Sequence, residues 1–255
     1  MMSLHGCGYV LSCWLSCPRP WLRERLPDEG DVQACLMPGD VLLVDGSSRI
    51  STVIKYLTQS TWSHAALYVG EAACRQRFGV TRGECFVEAD LSEGVRLVGT
   101  ETYARDAVRI CRPVGLRPGE IEQLVEYVCQ RVGQRYDLRN LFDLARYLLP
   151  LPPVPSGWRR YMLGLGSGDP TRAICSTLIA QAFQAVNYPI LPLPVGQTPA
   201  GTLWRRRHYS LFTPKDFDIS PYFAIIKPKL VHGFDAHTLH WQRSSATIAA
   251  KCSIR

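Results

Sequence analysis

The chain has 255 residues, 46% hydrophobic and 20% charged, enough apolar material for a sizeable core without disulfides or a structural metal. Its 29 Lys and Arg against 22 Asp and Glu leave a formal net charge of +7, which favours acidic partners in general but selects none. Aromatic residues do not interleave with the scattered basic ones, so single-stranded nucleic acid is excluded as the expected partner. The one tight basic run, Arg205-Arg206-Arg207, reads as a solvated loop. The ten cysteines show no regular framework and no Cys-x-x-Cys pair, and several sit in apolar runs. Most are therefore expected to be reduced core residues, and a zinc site is not expected. Gly164-Leu-Gly166-Ser-Gly168 lacks the preceding strand that a nucleotide fingerprint needs, so no cofactor is expected.

In chain order, Leu4 to Cys17 is weakly apolar but has no positively charged start and is too short to span a bilayer. Val10-Leu-Ser-Cys13 faintly resembles a lipoprotein cleavage box. Trp14, Leu15, Trp21, Leu22 and Leu26 with Arg19, Arg23 and Arg25 suit a membrane interface; the alternative is a tether packed loosely on the domain. Residues 1–36 are thus an N-terminal extension, with peripheral membrane contact as one reading.

The domain itself is expected over 37–228. Met37-Pro-Gly-Asp40 is a turn into the strand-length run Val41–Val44, closed by Asp45-Gly46. Ile50, Val53, Ile54 and Leu57 mark an amphipathic helix over 48–59. Ser63–Gly70 reads as a strand with His64, Ala66 and Tyr68 on one face and Ala65, Leu67 and Val69 on the other. Strands at 84–90, 94–98 and 108–112 suggest an antiparallel meander. Ile121, Leu124, Val125, Val128 and Val132 predict a helix ending at Gly133, and 138–149 a second helical stretch. Residues 150–170 form a loop long enough to be functional or disordered. Asp169-Pro170 opens a helix carrying Ile174, Leu178, Ile179, Ala182, Phe183 and Val186. A proline-rich loop at 188–196, a turn at Thr213–Asp216 and a strand at 222–226 follow, and 229–255 reads as a polar tail. His232, His237 and His240 cluster there without a helical pattern, a poor metal site.

Cysteine hydrolysis needs a thiolate, an imidazole to activate it, a group orienting that imidazole, and an oxyanion hole. Cys175 lies near a helix start, where free N–H groups and the macrodipole favour a thiolate; the alternative is a core residue beside Ile174. His64 is a catalytic base or a satisfied structural histidine. Glu88 is an orienting carboxylate or an exposed acid on a half-solvated sheet.

Thr61-Trp-Ser-His-Ala-Ala-Leu-Tyr-Val-Gly70 resembles the histidine strand of the circularly permuted papain-like cysteine hydrolases of the NlpC-type superfamily. Phe86-Val-Glu-Ala89 with Gly94-Val95 resembles the strand of their third polar residue, and Tyr136-Asp137 and Ile174-Cys-Ser-Thr-Leu-Ile179 their nucleophile segments. Pro38-Gly-Asp-Val-Leu42 and Thr213-Pro-Lys-Asp216 also fit, in consistent order from 37 to 228, closest to the YaeF/YiiX-like branch. The resemblance implies an α+β papain-like fold, an antiparallel sheet packed against helices. It implies Cys175 as nucleophile, His64 as base, Glu88 as orienting residue and Tyr136 as a residue polarising the carbonyl or lining the cleft.

The expected activity is amide (or ester) cleavage through a Cys175 thioester, on a peptidoglycan-peptide or lipid-acyl type of substrate. The rivals are a membrane-associated thiol acyltransferase and a non-catalytic binding module on the same scaffold. Against the first, lipid-handling relatives show an Asn-Cys-Glu-His type of sequence, whereas Ser176-Thr177 follow Cys175 here. Reduced cysteines favour the cytoplasm, and a cell-wall substrate would instead favour an exported or membrane-associated protein.

Overall fold

The computed structural model describes residues 32–80, 84–90, 93–134, 174–199, 201–233 and 235–238. Tyr136, the helical stretch at 138–149 and the loop at 150–170 lie outside the described residues, as do residues 1–31 and 239–255.

Six strands form one antiparallel sheet: β1 (Val41–Asp45), β2 (His64–Tyr68), β3 (Glu84–Asp90), β4 (Gly94–Gly99), β5 (Ala107–Pro113) and β8 (Phe223–Ile226), in the order β4-β3-β2-β1-β5-β8. β1 to β4 pair in succession, but the strand at 108–112, expected to continue the meander of 84–90 and 94–98, does not pair with β4. β5 returns to the free edge of β1, pairing Val41 with Cys111 and Leu43 with Arg109, and β8 extends that edge. The helices are α1 (Val32–Cys35), α2 (Arg49–Thr58), α3 (Glu71–Phe78), α4 (Pro118–Cys129), α5 (Ile174–Ala185), α6 (Pro214–Asp218) and α7 (Pro228–Val231).

The four consecutive apolar residues of β1 are all buried because both faces of the sheet are covered. Val41 and Leu43 share one core with Ala65, Leu67 and Val87 and with α4 and α5, through Leu124, Val128, Leu178, Ile179 and Phe183. Leu42 and Val44 share the opposite core with Ala66, Phe86, Tyr103, Ile110 and Cys35 of α1. Leu178, Ile179 and Phe183 are essentially inaccessible, and each stabilises the fold by about 1.5–3 kcal/mol through burial.

Local chemistry sets the element ends. Ser48 caps α2, its side chain accepting from the Ser51 N–H, and Gln59 ends it in a left-handed conformation, as a C-terminal stop requires. The turn before β1 needs Gly39 at φ +94°. Asp40 closes it by accepting from the Met37 N–H at 2.8 Å, and is itself buried and gripped by Arg112 through Nε at 2.8 Å and Nη2 at 2.7 Å. Arg112 also donates to the Cys35 carbonyl, which ties α1 to the sheet.

Three local elements go beyond what the sequence pattern shows. Glu71–Phe78 is helical although its apolar residues have no helical period; Gly70 and Gly79 bound it. Residues 193–205, expected in part as a proline-rich loop, form a hairpin of β6 (Leu193–Thr198) and β7 (Gly201–Arg205), whose bulge at Val195 is the device that accommodates Pro194. Past Pro228 the chain makes the short α7 and a 3-10 turn at Ala236–Thr238; α7 starts on proline, which is pre-set for a first helical position.

Candidate active site

His64 opens β2, and its entry is held from both sides. Ser63 donates its hydroxyl to the Val44 carbonyl. Trp62 is buried, donates its indole N–H to Asp218 at 3.0 Å, and lies under the Arg109 guanidinium, which pairs with the same Asp218 at 2.6 Å. The imidazole therefore stands on an anchored strand end, with 25% of its side chain exposed.

Glu88 is on β3, on the same sheet face as Phe86 and opposite to Val87 and Ala89. It is 3% exposed, so the reading as an exposed acid does not hold. Its charge is compensated instead: His64 Nε2 lies 2.6 Å from Oε2, the Tyr103 hydroxyl donates to the same oxygen at 2.6 Å, and Arg96 Nε donates to Oε1 at 2.8 Å. Arg96 comes from the facing position of β4, and Tyr103 from the 3-10 turn that follows that strand.

Cys175 is near the described start of α5, 5% exposed, and close enough to His64 to bear on its protonation. Since Nε2 faces Glu88, Nδ1 is the nitrogen left for the sulfur. The helix is set in place by Leu178 and Phe183 in the core and by Ser176, whose buried hydroxyl donates to the Phe212 carbonyl at 2.8 Å.

The electrostatics follow from this order. Burial alone would pull His64 down, but its coulombic and hydrogen-bond interactions with Cys175 and Glu88 outweigh burial and raise it well above 6.5. Burial alone would raise Glu88; the His64 charge and hydrogen bond, then Tyr103 and Arg96, bring it from 4.5 to about 2. Tyr103 is pushed well above 10, first by burial and then by Glu88, so it stays a donor. Among the other buried cysteines, Cys111 is pushed up to about 12, chiefly by burial, and Cys129 is raised for the same reason.

Three of the four expected site residues, His64, Glu88 and Cys175, meet in one place, although 24 and 87 residues separate neighbours in the chain. The fourth, Tyr136, lies outside the described residues. Residues 35–147 match the family model described as permuted papain-like amidase enzyme, YaeF/YiiX. Over that stretch the chain is similar to the permuted papain-like amidases. The matched residues include His64 and Glu88 and end before Cys175. No curated protein matches the chain. The α+β fold, with an antiparallel sheet packed against helices, is that of a papain-like cysteine hydrolase, and the protein is an amide-hydrolysing enzyme of that type.

Tyr103 and Arg96 were not legible as site residues. The alternation of β3 hinted at Arg96 through the cross-strand position, but nothing in Thr100–Tyr103 announced that its tyrosine turns back onto Glu88. Among the described residues no group of three His, Cys, Asp or Glu could hold a metal ion. No described helix is long and apolar enough to cross a membrane.

Proposed function

We propose that Cys175 is the nucleophile, His64 its proton carrier and Glu88 the residue that orients the imidazole. The observation supporting this is the continuous chain of contacts Cys175–His64–Glu88, with the carboxylate held charged on its far side by Tyr103 and Arg96.

The Cys175 proton passes to His64, and the sulfur attacks the amide carbonyl. The oxyanion meets the Cys175 backbone N–H at the positive end of α5. Collapse breaks the C–N bond, and His64 returns the proton to the departing amine, leaving a thioester. Water then gives a proton to His64 as its oxygen attacks the thioester carbonyl; the C–S bond breaks and the carboxylic acid leaves. Glu88 keeps the Nε2 hydrogen on its own side, so that Nδ1 is the nitrogen that exchanges the proton. The acyl group is of the peptidoglycan-peptide or lipid-acyl class.

Alkylation of the cysteines by iodoacetamide across pH, resolved by peptide mass spectrometry, tests the assignment. Cys175 should label fast near pH 6 in the wild type and slow by at least tenfold in His64→Ala, whereas Cys111 stays unlabelled. Cleavage of peptide and fatty-acyl amides should fall by a factor of about 10²–10⁴ in His64→Ala. Equal alkylation of Cys175 in the two proteins, or undiminished turnover in Cys175→Ala, overturns the reading.

A further inference from the structure

Hairpin β6–β7 stands apart from both cores. Every position of β6 is exposed, and all but Thr202 of β7. Leu193, Val195, Leu203 and Trp204 are among the exposed large hydrophobic residues, the last two at 54% and 53%. The register puts Leu193 and Leu203 on one face and Pro194 and Trp204 on the other. An isolated two-stranded ribbon is marginal in water, and exposed strands normally carry charge as protection against pairing. Here Arg205, the last residue of β7, is the one charged residue in either strand.

The charge is gathered at the hairpin's root. Arg205, Arg206 and Arg207 follow Trp204 directly, and no Asp or Glu lies between Asp169 and Asp216. Arg207 is engaged by Asp216 and Arg206 by Asn187 at 2.7 Å, while the Arg205 side chain has no hydrogen-bond or ion-pair partner among the described residues. A groove of about 290 Å³ runs between this root and Tyr188–Pro192, with Trp204, Arg205 and Phe212 among its walls. The root is fixed to the last turn of α5, where Gln184 donates to the Arg207 carbonyl at 2.7 Å.

We infer that hairpin β6–β7 docks on an anionic lipid bilayer, with Leu193, Val195, Leu203 and Trp204 in the interface and Arg205 and Arg206 on lipid phosphates. Apolar groups on both faces of a ribbon select this occupant. A partner protein or a second copy covers one face, whereas the headgroup–acyl boundary surrounds both. An aromatic and aliphatic surface followed by arginines is also the composition that binds there. At the tip, Gln197 and Thr202 hydrogen-bond each other and Thr198 bonds the Gly201 carbonyl, which lowers the cost of dehydrating the turn.

Co-sedimentation of the full chain with vesicles of phosphatidylcholine alone, and with added phosphatidylglycerol, tests the inference. The N-terminal segment is present in every variant, so differences report on the hairpin. The wild type should bind the anionic vesicles more tightly. Arg205→Gln with Arg206→Gln should lower partitioning by roughly tenfold at low salt and by little at high salt, where the charges are already screened. Leu203→Ser with Trp204→Ser should lower it at both. Wild-type partitioning that neither pair of substitutions changes, or no binding by the wild type, overturns the inference. So does a wild-type dimer in sedimentation equilibrium that Trp204→Ser dissociates, since the covering surface would then be a second copy.

Discussion

The hydroxyl of Tyr103 donates to Glu88 on the same carboxylate oxygen that His64 Nε2 meets, both at 2.6 Å. Sharing one oxygen fixes the plane of the carboxylate, because Arg96 holds the other oxygen through Nε. The imidazole is thus oriented by a group that is itself locked, which is what a positioned proton carrier requires.

Tyr103→Phe should leave the sheet intact and loosen this lock. Removing a donor to a buried charged group costs about 1.5–3 kcal/mol, and Glu88, having lost one of the influences that lower it, should titrate higher. Turnover is expected to fall roughly tenfold, and the acid limb of the pH–rate profile should move to higher pH. Arg96→Gln should move it the same way. A profile that keeps its shape in both variants would mean that Tyr103 and Arg96 serve only packing.

Stability should depend on pH through the same pair, with opposite signs. Glu88 is lowered in the folded protein, so its contribution is present above 4.5 and is lost as the pH falls toward about 2. His64 is raised, so its contribution is present below 6.5 and is lost as the pH rises through the higher folded value. Between 4.5 and 6.5 both are in place. Urea unfolding should show the deficit of Glu88→Gln shrinking on acidification below pH 4.5, and that of His64→Gln shrinking on the alkaline side. Cys175→Ala should bring the His64 titration down, as read from its ring-proton chemical shift.

Breaking the buried Asp40–Arg112 pair should cost stability rather than chemistry. Asp40 is 1% exposed, and Arg112→Leu strands its carboxylate. The expected cost is about 3 kcal/mol, at the low end for a buried pair because part of Arg112 reaches water. For a domain of this size that lowers Tm by roughly 6–12 °C. Adding Asp40→Asn should recover part of the loss. The alkylation rate of Cys175 at a temperature where the variant is folded should match the wild type.

Asp218 joins Trp62 and Arg109, so Asp218→Ala leaves a buried indole N–H without its acceptor. A destabilisation of about 1–3 kcal/mol is expected. Because Trp62 precedes the His64 strand by two residues, the rate of Cys175 alkylation should fall as well, by a few fold. Thermal melts and labelling rates on the same sample check both parts.

The strands of the sheet were readable from local pattern, but not that 108–112 pairs with β1 rather than β4. Val41–Val44 had to be a strand buried on both faces because four apolar residues run together, and alternation in 64–69 separated the two faces correctly. Ser48 and Asn187 show how far such signals reach: the first is a cap by chemistry alone, whereas the second takes a left-handed conformation (φ 58°) only because α5 must stop where Tyr188 packs on Phe183. Hairpin β6–β7 was hidden because Pro194 argues against a strand, and only the bulge beside it resolves the conflict.

By itself the sequence determined the chemistry available: a cysteine at a helix start, a histidine at a strand start, a carboxylate in the next strand, and the order of motifs that carries the family resemblance. Tertiary structure alone decided which of those groups touch. Antiparallel pairing of β3 with β4 brought Arg96 across from Glu88, the turn after β4 brought Tyr103 onto it, and packing of α5 on the sheet brought Cys175 to His64. Hydrophobic periodicity reports which face of an element is buried, and it carries no information about which polar groups from distant segments share that burial. A buried charge must find its partners, and the three-dimensional pairing of strands determines which ones are within reach.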